Sequence, residues 1–139
     1  MQKIQNLNDK VSLKAELGSW EKEGSNFLLD VKVKFINNTG DTLTYTNMSC
    51  ATFTFYILNT DKLKINGWEC DGNYPVSIKI PPYGIDEEIL KLNRADRIKK
   101  VEFKIGFCFI DPSFKIFNFS RDKLSYTNNI IWSENLKIE

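Results

Sequence analysis

Residues 26–45 read NFLLDVKVKFINNTGDTLTY, and the pattern of this stretch decides the fold class. Phe27, Leu29, Val31, Val33 and Phe35 alternate with Asp30, Lys32 and Lys34, then Asn37-Asn38-Thr39-Gly40-Asp41 supplies turn chemistry. A second alternating run follows, with Leu43 and Tyr45 on one face. Period-two alternation places one row of side chains in a dry interior and the other in water. Closed by an Asn/Gly turn, it predicts an antiparallel pair of half-buried strands.

The same grammar extends in both directions. Residues 10–17 alternate through Val11, Leu13, Ala15 and Leu17, and a connection around Trp20 leads into the long strand. Residues 42–46, 51–58, 62–69, 76–80 and 85–92 read as further strands, separated by Asn-Thr-Asp, Asp-Gly-Asn and Pro-Pro-Tyr-Gly turns. Residues 93–99 could form one or two helical turns capped by Asn93. Residues 100–110 alternate through Val101, Phe103, Ile105, Phe107 and Phe109, as cleanly as the opening stretch. Residues 114–120 form a short strand, with FKIFNF apolar on both faces, either covered or a sticky edge. Residues 130–138 form the last, with Trp132, Leu136 and Ile138 expected inward. Eight or nine short strands at regular spacing imply an all-β sandwich or barrel. With no composition shift or linker, residues 10–139 are expected to form one domain behind a polar N-terminal tether, residues 1–9.

Composition narrows the function classes. The 139 residues are long enough to bury a core, and 42% hydrophobic with 27% charged residues is ordinary for a globular chain. A net charge of +1, with Lys99-Lys100 the longest basic run, gives no electrostatic reason to expect nucleic acid or an anionic membrane. No apolar stretch approaches the ~20 residues that span a bilayer as a helix. The N-terminal MQKIQNLNDK lacks the apolar core of a signal peptide, which leaves a cytosolic protein or an exported domain without its leader. Export is favoured here, with a periplasmic or cell-surface location.

The sequence contains no His, which removes Ser-His-Asp and Cys-His nucleophilic chemistry and His-ligated zinc. It has no GxGxxG and no GxxxxGK[ST], and its three cysteines contain no CxxC. No cofactor is expected. Cys50 and Cys70 both sit at strand ends among turn residues, where a disulfide can join neighbouring strands. Closing a loop of ~20 residues would contribute about 3 kcal/mol. Cys108 lies within a strand. Asp86-Glu87-Glu88 is read as a solvated edge, since paired catalytic carboxylates need a cleft between them. Asp71-Gly72-Asn73 offers too few oxygens for calcium and reads as a turn.

Aromatics near turns are the remaining resource. Trp68, Tyr74 and Tyr83 are expected to gather at one end as a binding rim, which could stack on sugars or anchor a protein. The partner would be a protein or a glycan, and the molecule a monomer or weak dimer.

The strand order, the NNTGD turn and the closing WSENLKIE resemble a bacterial immunoglobulin-like sandwich of the secreted or lipoprotein type. That resemblance implies an immunoglobulin-like antiparallel β-sandwich acting as a non-catalytic binding or structural module. VKFINNTGDTL, FTFYILNTDKLKINGW and IKIPPYG also resemble the bacterial intracellular proteinase inhibitor family, which implies the same fold with a protruding inhibitory loop. That family's Phe-containing segment after the Trp is not evident here.

Overall fold

The computed structural model describes residues 10–95, 100–109 and 130–138. Every regular element among them is a strand. Two long strands, β1 (Val11–Glu23) and β2 (Asn26–Asn37), form a hairpin. Its two-residue turn places Gly24 at φ 62°, where a type II′ turn requires glycine. β1 is therefore longer than expected: Trp20 lies within it, past a register shift between Leu17 and Trp20. Gly18 sits in that shift because a Cβ there would stand 2.8 Å from the Asp30 carbonyl oxygen. Beyond the core Leu17 is exposed, not inward as alternation predicted.

The chain continues through β3 (Leu43–Met48), β4 (Tyr56–Leu58), β5 (Leu63–Ile65), β6 (Pro75–Ile80) and β7 (Ile85–Ala95). β8 (Val101–Phe103), β9 (Ile105–Cys108), β10 (Ile130–Trp132) and β11 (Leu136–Ile138) complete the described set of eleven. All pairings are antiparallel, in four sheets ordered β1-β2-β7-β5, β10-β9-β4, β11-β8 and β3-β6. The last-strand region is split by Ser133, whose buried hydroxyl accepts the Ile105 N–H at 3.0 Å in place of a ladder partner.

Several boundaries differ from the sequence reading, each for a local reason. β2 and β3 do not pair with each other: the NNTGD turn carries the chain from one sheet to another. Asn37 causes this departure. It is fully buried, and its Nδ2 lies within hydrogen-bonding reach of the carbonyls of Asp41 at 2.7 Å and of Ile80 and Pro81 at 3.1 Å. Its Oδ1 accepts from the Thr39 N–H at 3.0 Å. The turn is thereby bonded to the end of β6, and a buried amide with all its groups engaged fixes one conformation.

Residues 51–55 are turn, not strand, closed by Thr54 N–H to Ala51 O and Tyr56 N–H to Phe53 O, both 3.1 Å. The 62–69 strand shortens to β5. Asn93 and Arg94 remain paired within β7, so no helix starts at Asn93, and 96–99 lie outside the described residues. The expected 114–120 strand, with FKIFNF, and the 1–9 tether also lie outside them. In β10 it is Ile131 that is buried; Trp132 lies on the outer side, seated over Gly106, where any Cβ would come within 2.8 Å of its ring.

One contiguous core joins these sheets. Val11, Leu13, Leu29, Val31, Val33, Leu90 and Leu92 form the inner face of the four-stranded sheet. Phe35 from that sheet meets Phe107 of β9 edge-on at 4.8 Å. Phe107 also touches Tyr45, Phe55, Tyr56 and Phe109 at 4.8–6.2 Å between ring centroids. Edge-to-face contacts of this kind add to area burial, so Phe107 is the point where three sheets meet.

Candidate functional site

Pairing of β3 with β6 sets residues 49 and 74 side by side. Ser49 N–H donates to the Tyr74 carbonyl at 2.8 Å, and Tyr74 N–H to the Ser49 Oγ at 3.1 Å. Beyond this last rung Cys50 and Cys70 are joined by a disulfide across a Cα separation of 6.0 Å. The Asp-Gly-Asn turn supports it from within: Asn73 Oδ1 accepts the N–H groups of Cys50 at 3.1 Å and Ala51 at 3.0 Å. That oxygen is therefore a brace for the loop, and no cluster of three metal-ligating side chains occurs among the described residues.

Trp68 is held in the same framework. Its Nε1 donates to the Cys50 carbonyl at 3.1 Å, and its ring meets Phe53 edge-on at 4.7 Å. Gly67 permits that approach, since a Cβ there would fall 2.6 Å from the Phe53 ring. Trp68 and Tyr74 nevertheless keep 40% and 59% of their surface exposed. They are apolar side chains on a braced backbone, turned to solvent.

Tyr83 does not join them. It follows β6, whereas Tyr74 precedes it, so six extended residues separate the two, about 20 Å at ~3.3 Å per residue. Tyr83 belongs to the NNTGD end: its N–H donates to the Thr39 carbonyl at 3.1 Å, and its φ of 57° is left-handed. The three expected rim residues are thus not brought to one place: Trp68 and Tyr74 are each bonded to the Ser49–Cys50 backbone, and Tyr83 is not.

A second constellation was not expected at this place. Ile85, Glu87 and Ile89 of β7 face outward, but Asp86 and Glu88 share the inward face with Leu90 and Leu92. The DEE run is therefore not a uniformly solvated edge. Tyr45 Oη donates to Asp86 Oδ2 at 2.6 Å, across from one sheet to another. The hydroxyls of Thr52 and Tyr56 stand near the Glu88 carboxylate. Burial pushes the Glu88 carboxyl above its usual range, with the Asp86 charge adding in the same direction and the two hydroxyl donors opposing. Burial, then the bonded Asp86, hold Tyr45 protonated far beyond the ordinary tyrosine range. Tyr56 is raised likewise, by burial first and then by Glu88. Parity was the available signal: with Leu90 and Leu92 inward, residues 86 and 88 must face the same way.

The described surface also carries an open groove of about 440 Å³ between β4 and β5, lined by Ile57, Leu58, Thr60, Leu63, Lys64 and Ile65. It holds no carboxylate. Among the described residues no helix is long and apolar enough to cross a membrane. No family model, curated protein or solved structure matches this chain.

Proposed function

We propose that this chain is an immunoglobulin-like sandwich, exported in its native setting, that works as a non-catalytic binding module through the disulfide loop. The observation that carries the reading is the rigid exposure of Trp68 and Tyr74. Disulfide, Asn73 brace and Trp68 Nε1 bond all fix the backbone beneath two solvent-facing rings. Binding hot spots favour Trp and Tyr, and a preordered loop loses little entropy on association. A disulfide persists in oxidising compartments, which supports export. The inter-sheet packing of Phe35 on Phe107 supports a sandwich. Asp86 of the inward cluster already accepts from the Tyr45 hydroxyl of another sheet, an arrangement suited to joining layers.

Titration of tryptophan fluorescence against panels of neutral glycans and of peptides tests this. A saturable response is expected from one panel, reduced at least tenfold in affinity by Trp68→Ala or Tyr74→Ala and unchanged by Tyr83→Ala. Retained binding in both loop variants would place the site elsewhere.

Protease inhibition is a second reading, favoured by one observation. Tyr83 is 72% exposed on the Pro81–Gly84 turn, which is fixed by the Gly84 N–H to Pro81 O bond at 2.8 Å. An assay against chymotrypsin-like proteases, with Tyr83→Ala as the comparison, decides it.

A further inference from the structure

We propose that the edge of β7 from Ile85 to Ile89 is a docking site for an extended peptide, added as an antiparallel strand, that carries a Lys or Arg between two β-branched apolar residues. β2 lines one side of β7 along its whole length, from Ile85 to Ala95. On the other side β5 pairs only with Leu92, Asn93 and Arg94. The Asn66 N–H extends that contact by one residue, donating to the Lys91 carbonyl at 2.7 Å. Among the described residues no strand pairs with residues 85–90 on that second side.

Two bonds fix which backbone groups meet the open side. The Gly84 carbonyl accepts from the Asn37 N–H, at the end of β2, at 3.0 Å, so residue 84 is turned toward β2. The Lys91 carbonyl is turned the opposite way, toward Asn66. Backbone groups of successive strand residues point to alternate sides, and the ladder with β2 runs without a register shift here. The N–H and C=O groups of Ile85, Glu87 and Ile89 therefore face the open side. They are three unmade rungs, each able to exchange both bonds with a residue directly opposite. The side chains of the same three residues stand on the outer face, where Ile85 and Ile89 are each 56% exposed. Free rungs beside exposed apolar side chains form a template for strand addition.

Side-chain pairing across the new ladder selects the occupant. A residue opposite Glu87 meets a carboxylate whose chain neighbours, Asp86 and Glu88, are also acids. Its cation on the β2 side, Lys34, lies 3.8 Å away and is shared with Glu16 at 3.4 Å. A Lys or Arg opposite Glu87 is therefore favoured and an acid disfavoured. Residues opposite Ile85 and Ile89 complete apolar pairs, for which β-branched side chains suit the pleated surface. A second copy of this chain fits poorly. Antiparallel self-pairing that sets Ile85 on Ile89 also sets Glu87 on Glu87, and slipping by two residues sets Glu87 on an isoleucine. Glu87 thus guards the edge against its own copies while leaving it open to a cationic strand. The site does not depend on the disulfide loop binding anything.

Amide hydrogen exchange read by NMR on the full chain provides the test, with the capped peptide Val-Thr-Lys-Thr-Val at millimolar concentration as the probe. In the free protein the Ile85, Glu87 and Ile89 amides are expected to exchange roughly tenfold faster than those of Asp86, Glu88 and Leu90, which face β2. Adding the peptide should raise the protection of the first three roughly fivefold and leave the β1 amides unchanged. A peptide with Glu in place of Lys should bind about two- to fivefold more weakly, and Glu87→Lys should reverse that preference. Methylating the backbone nitrogens of both Val residues and the Lys removes the donors that face β7 and should abolish binding. Protection of residues 85, 87 and 89 equal to that of their neighbours in the free protein would overturn the proposal. If independent of protein concentration, it would mean that the chain itself pairs the edge; if it grew with concentration, that a second copy does. A freely exchanging edge that gains no protection from the Lys peptide, or equal affinity for the Lys and Glu peptides, would also overturn it.

Discussion

Asp86, Glu87 and Glu88 are consecutive acids on one strand, yet they live in two different media. Glu87 points outward, where Lys34 Nζ lies 3.8 Å from it and 3.4 Å from Glu16 Oε1. Asp86 and Glu88 point inward, where Tyr45 of another sheet donates to Asp86 and burial raises the Glu88 carboxyl. Water competes for every charge on the outer face and leaves its ion pairs with little net worth. On the inner face the low local dielectric strengthens each bond and makes each lost partner costly. Identical residue types thus act as solubilising groups on one side of a strand and as inter-sheet fasteners on the other.

The largest effect should come from the apolar floor beneath the fasteners. Phe107→Ala removes the ring that three sheets share and is expected to cost about 3–5 kcal/mol in denaturant unfolding, as buried aromatic truncations do. A loss below about 1 kcal/mol would mean that the inner face is not the common core. Next in size stands Tyr45→Phe. The ring contacts with Phe35 and Phe107 survive, but Asp86 loses its donor, at a cost of about 1–3 kcal/mol. This variant isolates the polar contribution of the inner face from its packing, which Phe107→Ala cannot do.

The sequence was legible where parity was unambiguous and partners were local. Alternation in Leu29–Phe35 and Val101–Phe109 identified buried rows that the structure retains, whereas Phe27, also expected inward, is only half-buried. Cys50 does lie just past β3, but Cys70 sits in the loop between β5 and β6, because the strand expected to end at it stops at Ile65. Turn chemistry, however, specifies that a chain bends and not what it bends toward. The NNTGD turn therefore read as a hairpin, while Asn37 bonds to carbonyls more than 40 residues away in sequence and carries the chain to another sheet. In Ile130-Ile131-Trp132 every position is apolar, so parity had nothing to choose by. The choice was made by Gly106 opposite, which leaves a seat for Trp132 on the outer face. Likewise Trp68, Tyr74 and Tyr83 are close in sequence, but an intervening strand carries Tyr83 to the far end.

The smallest expected effect is the sharpest check on the contrast between the faces. In register, Lys34 stands opposite Lys14 on one side and Glu87 on the other, with Glu16 on the diagonal. Like charges directly opposite one another disfavour the pair, so the Lys34 side chain leans toward both carboxylates. Glu16 and Glu87 are 64% and 50% exposed, and ion pairs in such surroundings contribute about 0–1 kcal/mol. Lys34→Met removes two attractions and one repulsion while keeping the aliphatic stem that covers the sheet. Its expected change is within about 0.5 kcal/mol in either direction. A double-mutant cycle with Glu87→Gln should give a coupling of similarly small size that shrinks further in high salt. Were Lys34→Met to cost as much as Tyr45→Phe, orientation on β7 would not be what separates Glu87 from its two neighbours.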